Sequence, residues 1–213
     1  MKPKYLILDI ETSGLNPYQG HGLLQVAALG MDEDFKIIGQ YNEYIKPPEG
    51  TVYDPIADKI HKIPREVTDK GLTYLEFSEH FIDWVKTLFV EVKPVMIGQF
   101  FVFDYNFLAY VVDTTLGQND LIKDPEKNQY GLFQAILSRN FIDTKALVNI
   151  INAKCYLEAK PEFFPISSLS APGGLKDKLG LVQQGYRAHD ALDDCKATRD
   201  VLIKMLDLFE LKV

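Results

Sequence analysis

The sequence predicts an α/β domain in which helices cover a mixed β-sheet, and three observations carry that prediction. Apolar runs of strand length, separated by turn signals, fill residues 4–45. From residue 73 onward apolar side chains recur at helical spacing, and short apolar strands near residues 94–98 and 141–142 interrupt those helices. Three strands joined by short links favour an antiparallel arrangement, and the strands that alternate with helices favour parallel ones. The expectation is a five-stranded sheet, three antiparallel strands first and then parallel strands, within one domain over residues 1–213.

Lys4 to Ile10, Leu23 to Leu29 and Phe35 to Ile45 read as the first three strands, with Gly and acidic residues at the turns. Pro55 to Thr68 reads as short helical pieces that bury Ile56, Ile60 and Ile63. Between Thr73 and Glu91, Leu75, Phe77, Phe81, Ile82, Val85, Leu88 and Phe89 outline a long amphipathic helix. Pro94 to Gly98 is a buried strand, and Phe103 through Val112 a helix that ends at Asp113. Phe141-Ile142 leads into a helix from Asp143 to Ile151, and the last helix runs from Asp190 to Phe209. Gly117 to Gln129 and Lys160 to Gly174 are polar, turn-rich and expected to be surface loops.

With 46% hydrophobic residues among 213, the chain is large enough for a layered core without disulfide staples. Its two cysteines, Cys155 and Cys195, have no neighbours at zinc-site spacing. No signal-like or membrane-length apolar stretch is present, so a soluble, cytoplasmic protein is expected. The net charge of −7 argues against gripping duplex nucleic acid by a broad basic face. A nucleic-acid substrate would be short, single-stranded or held mainly through bound metal.

The chemistry starts at Asp9 and Glu11, which interrupt an apolar strand run just before the Gly14 turn. Residues two apart on a strand share a face, so both carboxylates emerge together. Acid-x-acid spacing arises by chance roughly four times in a chain of this composition. Most such pairs lie in solvated segments; this one does not, and paired oxygens in an apolar strand suit a hard cation such as Mg²⁺ or Mn²⁺. Asp104 is the only charge in Met96 to Leu108, among aromatic and aliphatic neighbours, so it must be paired, ligated or set against a helix start. A third acidic segment opens the last helix. There Asp190 fits the N-cap and Asp193 a capping-box partner, which leaves Asp194 without a local role. His189, five residues before Asp194, is placed to act as a proton acceptor.

Together, Asp9, Glu11, Asp104, His189 and Asp194 resemble the signature of the DEDDh exonuclease superfamily, which includes polymerase proofreading subunits, ribonuclease T and oligoribonuclease. Leu8 to Leu15 is similar to the first motif, Gly98 to Leu108 to the second and His189 to Asp194 to the third. Tyr44-Ile45-Lys46-Pro47, Ile60 to Ile63 and Ile142-Asp143-Thr144 are lesser echoes. A sister group carries tyrosine four residues before the last Asp; position 190 is Asp here, so the histidine type is assigned.

The resemblance implies a ribonuclease H-like fold and two divalent cations, Mg²⁺ or Mn²⁺, held by Asp9, Glu11, Asp104 and Asp194, with His189 as base. It implies 3′ to 5′ removal of nucleoside 5′-monophosphates from single-stranded DNA or RNA 3′ ends, DNA favoured. Thr12, Ser13 and Gly14 would lie by the terminal sugar, Leu15 against the last base, and Phe101, with Phe100 beside it, at the open cleft. Lys145, Lys176, Lys178 and Arg187 are candidate phosphate contacts. Homodimers occur among such relatives, although no exposed apolar stripe was evident in the sequence; a polymerase partner is left open. Relatives often carry His-Asn where this chain has Gln99-Phe100, which puts the DNA-versus-RNA choice in doubt. Two rival readings are a two-metal phosphohydrolase of small nucleotides or other phosphoesters and a non-catalytic nucleic-acid-binding module.

Overall fold

The computed structural model describes residues 2–118, 131 and 135–209. Five strands form one sheet in the order β3-β2-β1-β4-β5. β1 (Pro3–Thr12), β2 (Leu23–Asp32) and β3 (Ile37–Tyr44) are antiparallel neighbours, whereas β4 (Val95–Gly98) and β5 (Phe141–Asp143) run parallel to β1. This is the mixed arrangement expected from the sequence.

Alternation along the central strand β1 decides what lies on each side of it. Leu6, Leu8 and Ile10 point into a core with α3 (Tyr74–Leu88) and α4 (Val102–Gln118). Tyr5 and Ile7 point the other way, where they meet Ala191, Cys195 and Leu202 of the last helix, α7 (Ala191–Leu208). Asp9 and Glu11 continue that odd-numbered row toward the end of the strand. The pleat that packs Ile7 on α7 therefore aims both carboxylates at the first turn of the same helix. A further cluster joins α5 (Thr144–Leu157) and α6 (Leu175–Lys178) to α7 through Val148, Ile151, Leu175 and Val201.

α3 begins at Thr73 with a complete capping box, in which the Thr73 side chain accepts from Glu76 N and the Glu76 carboxylate accepts from Thr73 N at 2.8 Å. Leu75 was expected on its inner stripe but is exposed. It sits about 200° around the helix from Phe77, opposite the buried row of Phe77, Phe81 and Val85. α4 continues past Val112 to Gln118, because Leu108, Val112 and Leu116 sustain the buried spacing beyond Asp113. The loop expected over Gly117 to Gln129 begins inside this helix and otherwise lies outside the described residues.

The segment Pro55 to Thr68 forms α1 (Pro55–His61) and α2 (Arg65–Thr68), but Ile56 and Ile60 are exposed. These helices dock instead through His61 and Thr68, both buried. The left-handed Lys62 ends α1 after two turns and folds the chain so that Ile63 N donates to His61 Nδ1 at 2.9 Å. α5 extends to Leu157, farther than the sequence indicated, and leaves Ile150, Tyr156 and Leu157 exposed near a cleft of about 430 Å³ lined by Leu147, Ile151 and Phe209. This apolar surface was missed because Lys154 and Glu158 break its pattern in the sequence. Among the described residues, no helix is long and apolar enough to cross a membrane.

Candidate active site

Three elements bring their acids to one end of the sheet. β1 contributes Asp9 and Glu11, which pair across the ladder with Ala27 and Gln25. α4 contributes Asp104 from its first turn, and Asp104 Oδ1 accepts a hydrogen bond from Ile10 N at 3.1 Å. That bond ties the helix start to the strand between the two other acids. α7 contributes the buried Asp194, whose Oδ2 accepts from His189 N at 2.9 Å and whose Oδ1 accepts from Ser170 Oγ at 3.4 Å. Ligand atoms of Glu11, His189 and Asp194 all lie within 4.8 Å of one another. His189 is exposed and left-handed, with φ 62°, a conformation histidine adopts more readily than most residues.

Several residues that carry no obvious signal hold this geometry. Gln25 is buried in β2 and bridges the sheet to α7: its Nε2 donates to Asn42 Oδ1 at 3.0 Å, and its Oε1 accepts from Ala191 N at 3.4 Å. The one signal in the sequence was an amide in the middle of an otherwise apolar strand. Cys195 packs on β2, with Sγ 3.4 Å from Ala27 O. Ser170 reaches Asp194 because the segment before α6 is folded tightly, with Leu175 N donating to Ser168 O at 2.9 Å. Gly174 permits this, since a Cβ there would lie 2.3 Å from Ser168 O.

The α7 entry differs in detail from the expected capping box. Asp190 is the N-cap and accepts from Asp193 N. The Asp193 carboxylate does not reach back. It accepts from Arg187 N and Nε and from Lys196 Nζ. Arg187 also pairs with Asp190 at 2.9 Å while its side chain stays largely exposed. Lys178 lies over the Phe163 ring and Lys145 over the Phe100 ring. Lys176 is buried, and its charge partly offsets the rise in the Asp194 pKa.

Around the turn after β1, Leu15 is 77% exposed and Thr12 and Gly14 line the strand end, with Thr12 Oγ1 donating to Gly14 O at 2.8 Å. A Cβ at Gly14 would lie 2.3 Å from the His21 ring, so the turn is held close by a residue without a side chain. Ser13 is fully buried; its hydroxyl donates to Val52 O at 2.6 Å and accepts from Gly22 N at 2.7 Å. That side chain staples the turn and does not face a ligand, contrary to the expectation for Ser13. Phe101 is also corrected: it is 2% exposed and packs near Tyr105 and Phe141, while Phe100 is the open ring at 54%. The β4–α4 link turns Phe101 inward because both Phe100 N and Phe101 N bond to the Asp143 carboxylate.

Burial sets the electrostatics, and crowding of like charges adds to it. Burial raises the Glu11 carboxyl to about 8, helped by Asp194, Asp104 and Asp190. Burial likewise raises Asp104 to about 8, against the lowering effect of its backbone hydrogen bonds. Asp9 keeps a partly open surface, yet burial of its carboxyl and then the charges of Asp104, Asp194 and Glu11 push it well above the ordinary range. Burial raises Asp194 as well, although the His189 N–H opposes this. Four carboxyls that resist ionisation together, with a neighbouring imidazole, form an oxygen-rich donor set that divalent cations fit.

A pH dependence follows from these shifts. Each carboxyl keeps its proton in the folded chain after the unfolded chain has lost it. This stabilises the fold at low pH, and the contribution is lost as pH rises from the ordinary carboxyl range toward about 8. Divalent cations should restore the loss. The gain in Tm on adding Mn²⁺ is therefore expected to be larger at about pH 8 than at about pH 5.5, measured by differential scanning fluorimetry. An equal gain at both would contradict the electrostatic account.

An acidic cluster suited to divalent cations, open at the end of a mixed α/β sheet, is the class of site that serves phosphate-ester hydrolysis. The family model for exonucleases of the RNase T type matches residues 6–202, and the chain belongs to that family, within the DEDDh exonuclease superfamily. It is 29% identical over 110 residues to the DNA polymerase III subunit epsilon of Pasteurella multocida, covering 49% of this chain and 42% of that protein. With the Rickettsia typhi subunit epsilon it shares 25% identity over 200 residues, 94% of this chain and 72% of the relative. Among solved structures, E. coli exonuclease I in complex with a dA16 oligonucleotide aligns with a TM-score of 0.64 at 22% identity, over 98% of this chain and 41% of that one. The nuclease domain of 3′hExo, a DEDDh family member bound to rAMP, aligns with a TM-score of 0.61 at 18% identity, over 95% and 91%. These likenesses show the ribonuclease H-like exonuclease fold. The chain spans less than half the length of the Pasteurella relative and of exonuclease I.

Proposed function

We propose that the chain is a metal-dependent 3′–5′ exonuclease that releases nucleoside 5′-monophosphates from single-stranded 3′ ends, with DNA favoured over RNA. The observation that carries this reading is the convergence of acids from β1, α4 and α7 beside His189 in a member of an exonuclease family. The DNA preference is supported by the curated relatives, which are DNA polymerase subunits.

Asp9, Glu11, Asp104 and Asp194 would hold two divalent cations, Mg²⁺ or Mn²⁺, which when bound acidify a water and neutralise charge at phosphorus and on the leaving 3′ oxygen. His189 takes the proton from the attacking water through a ring nitrogen that the exposed loop turns toward Glu11 and Asp194. Asp194 orients that loop by accepting the His189 N–H. Leu15 stands at the rim to meet the terminal base, with Thr12 and Gly14 by the sugar. Attack at phosphorus breaks the bond to the 3′ oxygen, and the phosphate leaves on the 5′ side of the released nucleotide.

The test is incubation of 5′-labelled single-stranded DNA and RNA oligomers with Mg²⁺ or Mn²⁺. A descending ladder that appears faster on DNA is the expected result. Cleavage of a small phosphoester alongside intact oligomers would replace the reading with a small-molecule phosphohydrolase.

A further inference from the structure

The link between β4 and α4 leaves an aromatic side chain exposed on a costly backbone conformation. Phe100 occupies the left-handed region at φ 59°, a conformation costly for a bulky aromatic and better suited to Gly, Asn or Asp. Phe35 has the same φ, but its ring stacks on Tyr5 with centroids 4.7 Å apart, so packing compensates there. The Phe100 ring has no such burial: it is 54% exposed. Its ring contact is a cation, with Lys145 Nζ 4.4 Å from the centroid.

One carboxylate builds this pair. Asp143 accepts from Phe100 N at 3.1 Å and Phe101 N at 3.0 Å, which fixes the strained link. The same carboxylate caps α5 by accepting from Lys145 N at 2.8 Å, which fixes the backbone that carries the ammonium. The pair also stands close to the acidic cluster. Phe100 O accepts from Phe103 N as α4 begins, one residue before Asp104. The last pair of the parallel register joins Ile7 to Ile97, two residues before Asp9 on β1 and three before Phe100 on the other side.

An open aromatic face with an adjacent fixed cation matches a nucleotide, whose base stacks and whose phosphate seeks positive charge. We propose that Phe100 and Lys145 form a subsite for one unpaired nucleotide of the substrate strand upstream of the one being removed, Phe100 stacking on its base and Lys145 meeting its phosphate. This deepens the exonuclease reading and rests on it. The strain at Phe100 then has a functional reason, because the inward turn of Phe101 requires the left-handed link and the outward ring binds substrate.

The experiment uses single-stranded DNA oligomers with one abasic position placed in turn along the last several nucleotides, scored by KM, kcat and binding anisotropy. Wild-type protein should lose affinity at one internal position, and Phe100→Asn should weaken intact oligomers roughly 5- to 150-fold and abolish the abasic penalty at that position alone. Phe100→Asn should keep or raise Tm, since Asn tolerates the backbone better, and Phe100→Trp should recover affinity. Lys145→Met should lower the slope of log affinity against log salt by about 0.7. An abasic penalty that survives in Phe100→Asn would overturn the stacking role, and an unchanged salt slope would overturn the phosphate contact. If those variants match a wild-type protein that degrades oligomers, the subsite fails alone. If wild-type protein neither binds nor degrades them, the exonuclease reading fails with it.

Discussion

Replacing Asp9 by alanine is expected to reduce turnover of a single-stranded oligomer by at least about 10³-fold while the protein remains folded. The carboxyl lies in the odd-numbered row of β1, next to acids from two helices. Loss of one ligand from a cation site removes charge stabilisation worth several kcal/mol at phosphorus. The fold loses little. Asp9 contributes to a group of mutually repelling carboxyls, not to the apolar contacts that hold β1 between α3, α4 and α7. Without metal, Tm is expected to stay level or rise near pH 8, because the remaining acids ionise with less repulsion. With Mn²⁺ present, the wild-type gain in Tm should shrink in the variant. Initial rates on a labelled oligomer and melting curves with and without Mn²⁺ check both parts. Turnover within tenfold of wild type would remove Asp9 from the chemistry.

The succession of strands and helices along the chain was legible because it depends on short-range signals: apolar runs of strand length, glycine-bearing turns and the switch to helical spacing. The five residues of the proposed centre were legible for a different reason. The four acids are charges in settings where burial would disfavour them, as with Asp104 among aromatic neighbours, whereas the exposed His189 is marked by its place five residues before Asp194. What stayed hidden depends on long-range geometry. Ser13 and Thr12 look alike in sequence, yet the bridge between His21 and Val52 brings a carbonyl to Ser13 and closes it off. Phe100 and Phe101 are adjacent rings, and which turns inward is decided by Asp143, forty-two residues beyond Phe101. Gln25 and Ser170 position Ala191 and Asp194 through contacts across 166 and 24 residues, which no local pattern encodes. Ile56 and Ile60 misled because a helix of two turns can dock through its last residue, here His61, and leave its apolar positions to solvent.

His189→Ala separates proton transfer from cation binding, and the two should respond differently. The imidazole belongs to the loop before α7, whereas the acids belong to β1, α4 and α7. A base that removes a proton from the attacking water contributes about 10²- to 10⁴-fold, so kcat should fall by that amount. The main-chain N–H of residue 189, not the ring, holds Asp194, and alanine retains it. Mn²⁺ affinity measured by calorimetry should therefore change by less than about tenfold. Alanine is also less at ease than histidine in the left-handed conformation, so His189→Asn, which tolerates φ near 60°, is the better control for loop geometry. Both variants should show the same fall in kcat, since both remove the ring nitrogen that accepts the proton. A kcat near wild type in both would assign the base elsewhere. Loss of Mn²⁺ binding in both variants would make the ring a cation ligand, which its approach to Glu11 and Asp194 within 4.8 Å also permits.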